Sequence, residues 1–288
     1  MSGDQRPSVS FIGLEGAYSH LACTEAHPDH APLPCPTFDQ ACAALGDGRA
    51  ARAMIPIENN QVGRVADIHQ LLPEADLSIV GEHFQTIEHR LLGVPGARLD
   101  EVEAVHSHVQ ALAQCHRYLR GLGAEDVVEA DTAGAAKVVA DRGDPRRAAI
   151  ASDLAGDIFG LEVLADDIAD SAENTTRFIV LARQRVAPHP ADGPVITTIL
   201  FKVRSVPAAL YKALGGFATN GVNLTKLESY LLGDRFTVAQ FYADLVGHPE
   251  ERRVQFALEE LRFFSDWLQV LGTYPAHPFR GLDDFAAE

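Results

Sequence analysis

The sequence predicts an α/β protein whose last third changes to a ferredoxin-like βαββαβ arrangement. Three observations carry that prediction. Up to about residue 183, short apolar runs alternate with helical stretches. Gln184–Pro194 (QRVAPHPADGP) then gathers three prolines and a glycine, the composition of a linker. Beyond it the runs fall in the order strand, helix, strand, strand, helix, strand.

Ser8–Ile12 is the first expected strand, and Ser19 stands before the apolar helix Leu21–Ala26. Thr37-x-x-Gln40 fits a capping box for the next helix. Strands follow at Ala53–Ile57, Leu77–Glu82, Glu88–Val94 and Val102–His106. Ser107-x-x-Gln110 fits a second box, opening a helix that holds Cys115 and His116. Val127–Ala130 is a strand, and Asp131 or Thr132 starts a helix to about Ala140. Ala148–Ala151 is a strand, Ser152 caps a short helix closing at Gly160, and Arg177–Leu181 is the last strand before the linker. The C-terminal unit reads as strand Val195–Val203, helix Pro207–Asn220 opened by proline, and strand Leu224–Leu232. A turn at Gly233-Asp234, strand Phe236–Leu245, helix Pro249–Ser265 and strand Trp267–Tyr274 complete it.

A length of 288 residues calls for two or three compact units. With 47% hydrophobic and 22% charged residues, neither disorder nor a fibrous repeat is indicated. The net charge of −16 opposes nucleic-acid binding, which needs clustered Lys and Arg. It also means that an anionic ligand needs a local pocket of positive charge or backbone N–H groups. No run approaches the roughly 20 apolar residues that span a bilayer. Met1–Ser8 is short and polar, without a signal-peptide core, so a cytoplasmic location with no membrane partner is expected. Four scattered cysteines without a C-x-x-C pair read as reduced thiols.

Three polar clusters lie at the C-terminal ends of expected strands, where open α/β sheets place ligands, and a fourth leads into a strand. Gly13-Leu-Glu-Gly-Ala-Tyr-Ser19 supplies a tight turn and a helix start whose N–H groups suit a carboxylate, although a plain serine-capped turn reads the same way. Glu58-Asn59-Asn60-Gln61 is costly at a strand end unless it faces a cleft. His106-Ser107-His108-Val-Gln110 spaces two histidines at i, i+2, but no partner pair at ligand spacing accompanies them, so no metal is assigned. Asn174-Thr-Thr176-Arg177-Phe178 sets a hydroxyl beside a guanidinium fork for a carboxylate. Nucleotide-binding Gly motifs and a Gly-x-Ser-x-Gly elbow are both absent, and no cofactor is expected.

Together, GLEGAYS at 13–19, IPIENN at 55–60, SHVQALAQC at 107–115, DTAGAA at 131–136 and NTTRF at 174–178 resemble the prephenate dehydratase family. The resemblance spans about Val9 to Arg280, and the C-terminal unit, with NLTKLES at 223–229 and VLGTYP at 270–275, is similar to an ACT domain. It implies a two-lobed catalytic region like a type II periplasmic binding protein over 8–183, with 8–80 and 161–183 in one lobe and 81–160 in the other. A linker over 184–194 and an ACT regulatory domain over 195–280 follow. It further implies conversion of prephenate to phenylpyruvate, CO₂ and water on the route to phenylalanine, with phenylalanine as effector and a homodimer or homotetramer as the assembly.

Within that resemblance the family's catalytic threonine maps to Thr176, as a hydrogen-bond donor to the leaving hydroxyl, with His108 as a second proton source. Arg177 is expected to hold a substrate carboxylate with help from Ser19. Asn59, Gln110, Thr132 and Asn174 supply neutral hydrogen bonds, and Glu58 organises its loop, because a bare carboxylate repels a dianion. Leu14, Asn60 and Val109 depart from residues common in the family. The effector motifs read Ala208-Ala209-Leu210 for the usual Gly-Ala-Leu, and Glu228-Ser229-Tyr-Leu for the usual Glu-Ser-Arg-Pro. Asn220, Val222, Asn223 and Leu224 resemble the effector loop. Two rival readings stand beside this one: arogenate dehydratase, with an amino group in place of the keto group, and a non-catalytic two-lobed sensor, against which the intact Thr176-Arg177-Phe178 argues.

Overall fold

The computed structural model describes residues 6–65, 72, 76–186, 188–190, 192–232 and 238–282. The expected turn at Gly233-Asp234 and the start of the strand at Phe236 lie outside them. The chain divides into two compact units, 1–66 with 83–178, and 67–82 with 179–288. The divisions fall inside two strands, β5 (Ser78–Thr86) and β11 (Thr175–Ala182).

The first unit holds two sheets. In one, β1 (Ser8–Ile12) pairs in parallel with β2 (Ala31–Cys35) and β3 (Arg52–Asn59), β11 lies beside β3, and β4 (Gly63–Arg64) folds back antiparallel on β3. Helices α1 (Tyr18–Ala26) and α2 (Phe38–Gly46) form the β1–β2 and β2–β3 crossovers. The Thr37 hydroxyl caps α2 by accepting from the Gln40 N–H, as the capping box predicts. The strand β2 (APLPC) escapes sequence reading because two prolines in five residues demote a run. The sheet order explains why it is tolerated: β2 is the edge strand, where a missing N–H is harmless.

The other sheet has the order β10-β6-β9-β7-β8, built from β6 (Arg90–Gly93), β7 (Ala104–His108), β8 (Glu125–Glu129), β9 (Arg147–Ala151) and β10 (Glu162–Ala165). Its central strands are buried on both faces, so they read as apolar runs without alternation. One face packs Leu91, Val105, Ala148 and Ile150 under α3 (Val109–Gln114) and α4 (His116–Leu122). The other packs Leu92, Ala149 and Ala151 under α5 (Thr132–Arg142) and α6 (Asp153–Phe159).

The caps of this sheet's helices match the sequence reading at α5 and α6 and differ at α3. Asp131 caps α5 through the Gly134 N–H, and Ser152 caps α6 through the Ala155 N–H. At α3 the expected Ser107 cap is replaced by His108, whose ring accepts from the Gln110 N–H. Ser107 is fully buried and donates instead to the Ile150 carbonyl at 2.7 Å. The single helix expected beyond it breaks at Cys115, where φ is −114° and ψ is 18°.

The second unit follows β12 (Val195–Val203), α7 (Ala209–Thr219), β13 (Leu224–Leu232), β14 (Val238–Val246), α8 (Arg252–Phe264) and β15 (Ser265–Pro275). Its sheet order is β13-β14-β12-β15, all neighbours antiparallel, which is the ferredoxin-like arrangement. Ile199, Phe201, Phe241, Ala243 and Leu245 form one apolar face under α7 and α8. Helix α7 begins two residues after Pro207, and its N-cap Ala208 sits at φ +57°. A residue with a Cβ there costs about 1 kcal/mol relative to glycine. Val222 is buried in the core, while Asn223 and Ser229 are exposed. Leu210 and Leu224 pack partly buried on the same core, and Ala209 is buried. Asn220 closes α7 by donating to the Gly216 carbonyl and to Glu260, and Glu228 is held by Lys226 and Tyr230. Among the described residues no helix is long and apolar enough to cross a membrane.

Candidate active site

A cavity of about 500 Å³ in the first unit is lined from both of that unit's sheets. It sits at the C-terminal ends of β1, β7 and β8, where the turns to α1, α3 and α5 begin, and β11 forms one wall. Of the residues expected at a site, Ser19, Asn59, His108, Gln110, Thr132 and Thr176 line it. Ile12, Val62, Ile87 and Phe178 give it an apolar side suited to a ring.

Strand alternation sorts the residues of β11. Thr176 and Phe178 face the cavity, so Arg177 points to the opposite side of the sheet. There Arg177 is 3% exposed, donates to Glu58 at 2.9 Å, and lies 6.0 Å from the centre of the Phe84 ring. The geometry therefore does not bring Arg177 to a substrate carboxylate, and Glu58 is its ion-pair partner near the end of strand β3 and not a loop residue. Asn174 is also absent from the cavity lining and only 2% exposed.

Asn59 has its hydrogen-bonding capacity committed to protein, and Asn174 bonds protein through both ends of its amide. Asn59 Oδ1 accepts from the N–H groups of Gln61 (2.9 Å) and Val62 (3.1 Å). Its Nδ2 donates to Asn174 Oδ1 (2.7 Å) and to Thr176 Oγ1 (3.0 Å). With both acceptor and both donor sites used, Asn59 holds Thr176 and has nothing left for a ligand. Asn174 Nδ2 passes the chain on to Gln114 Oε1 at 3.0 Å. Because Thr176 accepts from Asn59, its own O–H is left to point into the cavity as a donor. The side chains of Ser19, Gln110 and Thr132 bond no other described residue and are available to a ligand. His108 Nδ1 accepts from the Gln110 N–H, which leaves the neutral ring's proton on Nε2.

Three lining residues, Tyr18, His89 and Gln114, escape sequence reading as site residues. Tyr18 and Gln114 fall inside the motifs noted above, but their roles come from tertiary partners. The signal for His89 is Glu88-His89-Arg90 at the head of an otherwise apolar run. The Tyr18 hydroxyl donates to the Glu88 carbonyl at 2.7 Å and lies 2.9 Å from His89 Nδ1, and burial raises its pKa well above 10.

None of the described residues lining the cavity is Lys or Arg. Positive potential comes instead from helix starts. The N-cap of α1, Ala17, has no side-chain acceptor and its first turn holds no acidic residue, so its leading N–H groups face an incoming anion. Asp131, which also lines the cavity, is tied to the Gly134 N–H as the α5 cap. The thiol of Cys115, behind α3, is pushed up to about 12 by burial and is inert.

The α1 turn depends on Gly16. Its φ is +88°, and a Cβ would lie 2.8 Å from Ala155 Cα. Its carbonyl accepts from Ser152 Oγ at 2.6 Å and its N–H donates to His20 Nδ1 at 3.0 Å. Gly16→Ala is therefore expected to destabilise the protein by about 2 kcal/mol or more, read as a lower denaturant midpoint with unchanged slope.

A prephenate dehydratase family model matches residues 9–186. A bifunctional N-acyl-homoserine lactone acylase/prephenate dehydratase of Komagataeibacter europaeus is 52% identical over 94% of this chain and 97% of its own length. Arogenate dehydratase 2 of Petunia hybrida is 39% identical over 94% of this chain and 72% of its own. A solved prephenate dehydratase of Arthrobacter aurescens in complex with L-Phe superposes with a TM-score of 0.85 at 29% identity, covering 97% of this chain and 96% of that one.

Proposed function

The chain belongs to the prephenate dehydratase family, and from that premise we propose that its cavity converts prephenate to phenylpyruvate, CO₂ and water. The observation that carries this reading is the free O–H of Thr176, oriented by Asn59, in a wall beside an apolar face. Breaking the ring-carbon–carboxylate bond releases CO₂, and its electrons make the ring aromatic as the C–O bond to the hydroxyl breaks. The departing hydroxide must gain one proton to leave as water. Threonine is too weak an acid to deliver that proton outright, and so is a neutral His108 ring whose Nδ1 is taken by the Gln110 N–H. Thr176 O–H and His108 Nε2–H therefore strengthen their hydrogen bonds as charge grows on oxygen, and solvent water supplies the proton. Ser19, Gln110, Thr132 and the start of α1 hold the carboxylates, a role taken over from Arg177.

We assign the second unit as an ACT regulatory domain that binds phenylalanine, with Ala208–Leu210, Asn220–Leu224, Glu228 and Ser229 as the effector region. The ferredoxin-like topology and the L-Phe complex of the 29% identical dehydratase support that assignment. Pairing of two such sheets in a homodimer or homotetramer, and a cytoplasmic location for a chain with four free thiols, belong to the same proposal.

The arogenate reading is favoured by the Petunia relative and by the Asp131 carboxylate at the cavity wall, which would attract an amino group. Initial rates of the full chain on prephenate and on arogenate, with and without phenylalanine, decide between them. Higher kcat/KM on prephenate, falling when phenylalanine is added, is the expected result. A preference for arogenate assigns the amino substrate, and no response to phenylalanine removes the effector. An acyl-homoserine lactone arm tests whether the second activity of the 52% identical relative is shared.

A further inference from the structure

The hydrogen bonds behind the cavity have a fixed direction, and they end in a conflict at His89. The Gln61 and Val62 N–H groups can only donate, so Asn59 Oδ1 is the acceptor and Asn59 Nδ2 the donor. Asn174 Oδ1 therefore accepts and Asn174 Nδ2 donates to Gln114 Oε1. Gln114 Oε1 also lies 2.8 Å from His89 Nε2, which must then carry a proton. A neutral His89 so fixed presents a bare Nδ1 to the Tyr18 hydroxyl 2.9 Å away. Tyr18 has one proton, and the Glu88 carbonyl at 2.7 Å can only accept. Two acceptors compete for one proton. A second proton on His89 removes the conflict: Nδ1–H donates to Tyr18, and Tyr18 donates to Glu88.

We propose that His89 takes up this proton when an anion enters the cavity, and so becomes the cation that the cavity's lining otherwise lacks. This rests on the dehydratase reading for the identity of the anion. His89 and Tyr18 both line the cavity, so the charge faces the ligand. In the empty site burial holds the ring neutral by lowering its pKa, with only the bond to Gln114 opposing, so the switch needs the anion's field. The ionisable groups around this corner are already committed. Arg90 is tied to Glu88, Asp153 and Asp166, and burial keeps the Tyr18 and Cys115 protons in place.

The ring's pKa is low in the free protein and higher in the complex. Between those two values KM rises about tenfold per pH unit, because each turnover complex needs a proton from solution. Below the lower value and above the higher one, KM is flat.

The test is calorimetric titration of the full chain with phenylpyruvate, and with benzoate, near neutral pH in buffers of different ionisation enthalpy. Nitrogen NMR of the labelled imidazole runs alongside. Uptake of one proton per site, with both ring nitrogens protonated in the complex, is expected for the native chain. His89→Asn should bind without uptake and lose the pH slope of KM. Tyr18→Phe should weaken binding with the ring returned to one proton. Binding without uptake, a ring that stays singly protonated, or an Nδ1–H tautomer in the free protein overturns the proposal. Turnover of prephenate by the native chain is measured separately, so a failed dehydratase reading is told apart from a failed proton switch.

Discussion

Replacing Thr176 with alanine is expected to lower kcat on prephenate by about 10²–10³-fold, the cost of removing one donor aimed at developing negative charge. KM should change little, because the hydroxyl meets a neutral C–OH in the ground state and a partial oxyanion only as the bond breaks. The effect falls on kcat because Thr176 is held for one purpose. Asn59 occupies one of its lone pairs and strand β11 fixes its backbone, so its O–H is biased toward the cavity before substrate arrives. Thr176→Ser keeps the hydroxyl and should retain most of the rate. Steady-state kinetics of the two variants provide the check. Equal losses for alanine and serine would show that packing of the threonine methyl, and not its O–H, matters.

Changing Asn59 to aspartate should be nearly as severe, although the shape is conserved. A carboxylate can still accept from the Gln61 and Val62 N–H groups, but it cannot donate to Asn174 Oδ1 or Thr176 Oγ1. Asn174 Oδ1, on a residue 2% exposed, is then left facing another acceptor. The Thr176 hydroxyl must turn its proton toward the new carboxylate and away from the cavity. A loss of about 10²-fold or more in kcat is expected, with about 1–3 kcal/mol lost from stability for the mismatched buried pair. Urea unfolding followed by kinetics on the folded variant separates the two effects. Retained activity at reduced stability would mean that Asn59 supports only the fold.

Much of this organisation was legible in the residues. The ferredoxin-like order after the linker follows from the spacing of apolar runs, and Val195–Val203 and Leu224–Leu232 begin and end as read. The caps at Thr37, Asp131 and Ser152 were legible because capping is local chemistry. What escaped depends on neighbours distant in sequence. The strand Ala31–Cys35 exists because its prolines lie at a sheet edge. Ser107 lost its cap role to a buried bond with Ile150. Arg177 looked like a carboxylate ligand beside Thr176, yet adjacent residues of a strand face opposite sides, and one of the two had to leave the cavity. The roles of Tyr18, His89 and Gln114 arise from bonds across 25 to 71 residues of sequence, which no local pattern encodes.

Whether the cavity in the first unit carries out a decarboxylative dehydration is decided by incubating the purified full chain with prephenate and measuring CO₂ and phenylpyruvate together. Catalytic release of both in equal amounts is expected, slowed about 10²–10³-fold in Thr176→Ala. Binding of prephenate by folded protein with neither product formed would contradict it, and would make the chain a sensor built on a dehydratase scaffold.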